Sequence, residues 1–120
     1  MNRAATPKSK MPISNSMWSG RFHFLVNPEC NIDYLRGAMG GYVSAICLTN
    51  SKEEFIARAL DALRDRQLSP DDEIDEIEDI STIYCEGMLS DEWMALCKLA
   101  SETGDVAFNC FNLYASAEEK

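Results

Sequence analysis

The stretch Asp71–Tyr84, DDEIDEIEDISTIY, constrains the fold more than any other part of the chain, because seven carboxylates fall within nine residues while an isoleucine returns at every third position. Ile74, Ile77, Ile80 and Ile83 are β-branched and favour an extended backbone. Their spacing fits neither the helical period nor strict strand alternation. The stretch therefore reads as a strand carrying an irregularity such as a bulge, with one face buried and the other a dense negative strip.

The rest of the chain supplies partners for such a strand. Arg21–Val26, RFHFLV, alternates Phe22, Phe24 and Val26 against His23 and Leu25, and Asn27-Pro28 ends it. Tyr42–Thr49, YVSAICLT, is apolar on both faces, which predicts a central strand. Ser51 and Glu54 form a capping box, followed by Phe55, Ile56, Ala59, Leu60 and Leu63 at helical spacing. This helix should run to about Leu68 and stop before Pro70, with Arg58, Asp61, Arg64 and Asp65 on its wet side. Ser90 caps a second helix with Asp91 and Glu92 in its first turn and Trp93, Met94, Leu96, Cys97 and Ala100 as its buried stripe; Gly104 ends it. The final run, VAFNCFNLYA, reads as one strand.

Length and composition confine these elements to one domain. A chain of 120 residues with 46% apolar content buries a core without a second domain. The predicted organisation is a basic, disordered tail over 1–19, a single α+β domain over 20–116 and a C-terminal tail over 117–120. The order ββαβαβ, with two helices to cover the sheet, gives a two-layer sandwich of the ferredoxin-like class. It has a four-stranded mixed or antiparallel sheet and both helices on one face. Tyr42, Tyr84, Phe111 and Tyr114 are candidates for the uncovered face.

Charge narrows the function. The net charge of −9 disfavours direct binding to nucleic acid or to anionic membranes, both of which demand Lys and Arg. It suits a basic protein. The charge is also segregated: Arg3, Lys8, Lys10 and Arg21 precede any acid, whereas fourteen acids against Lys98 and Lys120 follow Gln67, a balance of −12. Such a surface keeps a protein soluble, and it also steers a cationic partner.

Catalytic and metal signatures are absent from the spacing. The five cysteines, Cys30, Cys47, Cys85, Cys97 and Cys110, include no CxxC pair, and there is a single histidine, so a zinc finger or ribbon is excluded. Cys47, Cys97 and Cys110 read as small buried hydrophobes, which implies a reducing, cytoplasmic location. Gly37, Gly40 and Gly41 precede a strand, whereas phosphate loops follow one. The isoleucines at 74, 77 and 80 occupy the wrong places for a calcium loop. Spacing alone leaves a magnesium site or a glycosidase-like carboxylate pair in the strip open, although no cleft-forming loop or aromatic sugar platform adjoins it. His23 among phenylalanines reads as packing or surface, because general-base work needs a nucleophile or an orienting acid beside it. No catalytic residue, cofactor or metal is assigned, and the chain reads as a binding protein rather than an enzyme. No segment before Trp18 has the apolar run of a secretory signal, and none is long enough to span a bilayer.

The runs YVSAICLTNSKEEFIARALDAL, DEIDEIEDI and DEWMALCKLASETGDVAFNCFNLYA, over about Gly41–Ala115, resemble small acidic bacterial cytosolic proteins. In size and acidity the chain is similar to the immunity proteins that neutralise toxins in interbacterial competition. That resemblance implies an inhibitor of a basic effector, often a nuclease, and carries no residue roles with it. From the residues themselves, the partner-binding set is Asp71, Asp72, Glu73, Asp75, Glu76, Glu78 and Asp79, with Asp91 and Glu92 at the rim. Two alternatives stand beside it: a phage or plasmid counter-defence protein whose carboxylates imitate nucleic-acid phosphates, and a small regulatory or ligand-binding domain that forms a homodimer through its open sheet face.

Overall fold

The structure, a computed structural model, describes residues 15–27, 35 and 37–115. In chain order it forms β1 (Ser16–Val26), β2 (Gly40–Thr49), α1 (Lys52–Asp65), β3 (Leu68–Asp79), α2 (Ser81–Cys85), α3 (Asp91–Thr103), β4 (Ala107–Phe108) and β5 (Asn112–Tyr114). Every strand pair is antiparallel. The order across the sheet is β3-β1-β2-β4, and β5 follows β4 along the same edge of β2. The fold is α+β, and β2 lies inside the sheet as its two apolar faces predict.

Alternation along β1 and β2 divides the core in two. Phe22, Phe24 and Val26 of β1 share one face with Val43, Ala45 and Cys47 of β2, and against it packs the stripe Phe55, Ala59 and Leu63 of α1. That layer and the sheet make one side of an α+β sandwich. Met17 and Ile46 point the other way and meet Cys97 and Ala100 of α3. The two long helices thus cover opposite faces, contrary to the expectation of a single helical face. The reason is in β2 itself, whose even-numbered Ile46 and Leu48 are as apolar as its odd-numbered residues and need their own cover. α3 hides only one end of that second face.

Ser51 Oγ accepts from Glu54 N at 3.0 Å at the start of α1, while Glu54 reaches back to Asn50 N at 3.3 Å. α1 ends at Asp65, and Gln67 turns the chain with a positive φ of 66°. Arg58, partly exposed on the outer side of α1, also donates from its guanidinium to the Gly104 carbonyl at the end of α3. Ser90 Oγ caps α3 by accepting from Trp93 N, and Gly104 ends it at φ 75°.

The acidic strand contains the expected irregularities. From Ser19↔Glu78 to Arg21↔Asp75, β1 advances two residues while β3 advances three; from Phe22↔Ile74 to Phe24↔Pro70, β1 advances two and β3 four. Glu76 takes a positive φ of 57° in the first of these. The triplet spacing of isoleucines is thereby explained. Between Ile74 and Ile77 one residue is inserted, so both stay on the α1 face; between Ile77 and Ile80 none is, so Ile80 crosses to the α3 face and its N–H bonds Met17 O at 2.7 Å.

Further expectations need correction. The strand stops at Asp79, not Tyr84, because Asp79 Oδ1 accepts from Ser81 N at 2.9 Å and turns the chain into α2. The last strand is broken between β4 and β5: Asn109 Oδ1 accepts from Cys110 N at 2.7 Å, leaving Cys110 exposed rather than buried and turning both Phe108 and Phe111 to the α1 core. β1 begins at Ser16, so Ser16–Ser19 of the predicted tail are strand, while residues 1–14 and 116–120 lie outside the described residues. Of the four aromatic residues expected on an open face, Tyr42 and Tyr114 lie there together, whereas Phe111 and Tyr84 pack into the two cores.

Candidate functional site

The larger irregularity in β3 has a local consequence. Asp71, Asp72 and Glu73 all fall between the paired positions Pro70 and Ile74, so three residues stand opposite the single residue His23 of β1. Strand alternation directs His23 to the face away from α1, where Tyr42 is its cross-strand neighbour on β2. β5 adds Tyr114, which pairs with Gly40. A side chain at Gly40 would put its Cβ 2.6 Å from both Tyr114 Oη and Phe24 O, so glycine is what lets Tyr114 approach.

The result is a polar cluster around a buried imidazole. His23 is 2% exposed. Its Nδ1 lies 2.7 Å from Asp71 Oδ2 and 3.8 Å from Glu73 Oε1, and its Nε2 lies 2.5 Å from Tyr114 Oη. A carboxylate only accepts, so Nδ1–H donates to Asp71. The carboxylates are held in turn: Glu73 N donates to Asp71 Oδ1 at 3.0 Å, and Tyr42 Oη donates to Glu73 Oε2 at 2.6 Å. Arg21 stacks over the Tyr42 ring with Cζ 4.2 Å from its centroid and reaches Asp75 at 3.3 Å. Asp71 is the orienting acid that the sequence lacked beside His23, yet both ring nitrogens are engaged and Tyr114 is itself buried. A general base needs a nitrogen open toward its substrate.

The predicted partner-binding residues lie mostly along one edge. Asp72, Glu73, Asp75, Glu76, Glu78 and Asp79 are exposed on β3, the outermost strand, and Asp71 is half-buried. They are spent unequally. Asp71 serves His23, Glu73 serves Tyr42, Asp75 meets Arg21, and Asp79 holds Ser81. The Ser81 hydroxyl and N–H hold the Asp79 carboxyl below its usual range. Among the described residues, no ion pair joins Asp72, Glu76 or Glu78. Asp91 and Glu92 are exposed in the first turn of α3.

Glu76 and Glu78 also flank a groove of about 330 Å3 on the α3 side of the sheet, walled by Ile80, Ile83, Met88 and Trp93. Met88 is 72% exposed there. Ser90 and Trp93 belong to that lining, which places the first turn of α3, with Asp91 and Glu92, beside the groove.

Comparison of the chain with protein-family models, with curated proteins and with solved structures finds no match.

Sequence reasoning found the acidic strand and missed the cluster behind it. His23 is separated from Asp71 by 48 positions and from Tyr114 by 91, so no local spacing reports their meeting. The one available signal was the irregular period of the isoleucines, which implies inserted residues able to aim side chains sideways.

Proposed function

We propose that this chain is a small acidic binding protein that docks a basic protein along β3, and that it acts as an immunity or inhibitor protein neutralising a cationic toxin such as a nuclease. The observation that carries this reading is the exposed set Asp72, Glu76 and Glu78 on the outermost strand, unpaired by any cation among the described residues, with Glu76 and Glu78 bordering a groove of mixed polar and apolar lining. Carboxylates with no internal counter-ion keep their field available to a partner, which accelerates encounter and makes it sensitive to salt.

The groove supplies the other half of an interface. A Lys or Arg side chain entering it would lay its methylene stem against Ile83, Met88 and Trp93 and bring its charge to Glu76 and Glu78. Such an anchor governs dissociation, while the remaining charges govern approach. The binding role does not involve turnover, and its setting is the bacterial cytoplasm.

Charge on an outermost strand has a second physical role. Acidic side chains, Pro70 and the inserted residues all discourage another strand from pairing with β3. The experiment separates the two roles. Immobilised wild-type protein and a D72K/E76K/E78K variant are presented with extracts of producing and competing cells, and captured polypeptides are identified by mass spectrometry. A basic polypeptide held by the wild type and lost by the folded variant supports docking. Capture that is identical for both, or a variant that merely self-associates, assigns the charges to edge protection.

A further inference from the structure

We propose that His23, Asp71 and Glu73 form a site for one divalent transition-metal ion of the zinc class, independent of the docking reading. His23 Nδ1 and one oxygen from each carboxylate all lie within 4.8 Å of one another. Metal–nitrogen and metal–oxygen bonds of roughly 2.0–2.2 Å place ligands around a common ion roughly 3–3.5 Å apart. The observed 2.7 Å from Nδ1 to Asp71 and 3.8 Å to Glu73 straddle that range and need side-chain adjustments of about half an ångström, while the two carboxylate oxygens, within 4.8 Å of each other, close onto the ion by rotation of their exposed side chains.

More than proximity supports the assignment. Each of the three ligands has its other polar atom secured by a group that is not a ligand, as metal sites require of their outer contacts. Tyr114 Oη holds His23 Nε2, Glu73 N holds Asp71 Oδ1, and Tyr42 Oη holds Glu73 Oε2. Three residues of β3 are spent opposite His23 where ordinary pairing would use one. The imidazole is buried at 2% exposure, whereas the carboxylates are 37% and 44% exposed, so the ion enters from the solvent side onto a fixed nitrogen. One nitrogen with two carboxylate oxygens favours zinc, iron(II) or manganese over calcium or magnesium.

Binding changes the imidazole in a defined way. The cation takes the Nδ1 position that the proton held toward Asp71, so the ring carries its proton on Nε2 and donates it to Tyr114 Oη. Because the chain has one histidine, its ring resonances report this without assignment.

The test uses the full chain freed of metal with a chelator, titrated with Zn2+ by calorimetry and with Co2+ by absorbance. One equivalent should bind, with the Nδ1 resonance of His23 moving and the Co2+ spectrum lacking a thiolate band. Glu73→Gln and Asp71→Asn should each weaken Zn2+ at least 10-fold, and Tyr42→Phe about 10-fold through the lost outer contact. Glu73 is exposed, and its variant is checked for a native circular dichroism spectrum, so weakened binding cannot be ascribed to unfolding. Loss of binding in a Cys85→Ser/Cys110→Ser variant, binding that leaves the imidazole resonances in place, affinity unchanged in Glu73→Gln, or no binding at millimolar Zn2+ would each overturn the site.

Discussion

His23 Nδ1 and the Asp71 carboxylate meet at 2.7 Å across the β1–β3 boundary, and that contact joins the buried sheet to the charged edge. Asp71→Ala would leave a buried N–H without its acceptor and should cost about 1–3 kcal/mol. Asp71→Asn keeps a carbonyl acceptor and should cost less. Urea unfolding of both variants measures the difference, and equal losses would show that the hydrogen bond is not what matters.

Gly40 is predicted to be intolerant of any side chain. The Cβ of Gly40→Ala would fall 2.6 Å from Phe24 O, which is backbone and cannot rotate away, and 2.6 Å from Tyr114 Oη. Overpacking of this kind costs about 1–3 kcal/mol. The variant should unfold at lower urea and shift the ring resonances of the single histidine as Tyr114 is displaced. Gly37→Ala, with nothing within 4 Å but a φ of 85°, would carry backbone strain alone and leave those resonances in place.

Asp79 predicts a pH dependence. Its hydrogen bonds from Ser81 lower the folded pKa below the ordinary 3.8, so the unfolded chain takes up the proton first as pH falls. The associated stability is fully present above that ordinary value and is lost as pH drops through the lowered folded one. Asp79→Asn should therefore be less stable than wild type above pH 4 by about 0.5 kcal/mol, a small figure because the group is exposed. The gap should close in stronger acid. Thermal unfolding of both proteins between pH 2 and 7 tests this, and a gap that widens in acid would reverse the assignment.

Much of the fold was legible because local rules decided it. Ser51 and Ser90 announce helices whose caps are present, and the two apolar faces of YVSAICLT place β2 inside the sheet. The inserted residues in β3 followed from isoleucines at a period no regular element has. What escaped was decided between distant residues. Nothing local says that Ile46 requires a helix on the second face, that Asn109 interrupts the last strand, or that Tyr114 reaches His23. The turn at Asp79 was readable in principle, since Asp followed by Ile and Ser offers a side-chain acceptor two residues ahead, but the fourth isoleucine at Ile83 prolonged the apparent strand.

The docking of a cationic protein on β3 is tested most directly by the salt dependence of that association, measured with the captured basic partner by surface plasmon resonance. The wild type should bind with an association rate that falls at least 10-fold between low and physiological ionic strength, and D72K/E76K/E78K should bind at least 10-fold more slowly at low salt with a flattened dependence. An association rate indifferent to salt, or a folded triple variant that binds as fast as wild type, would contradict the account.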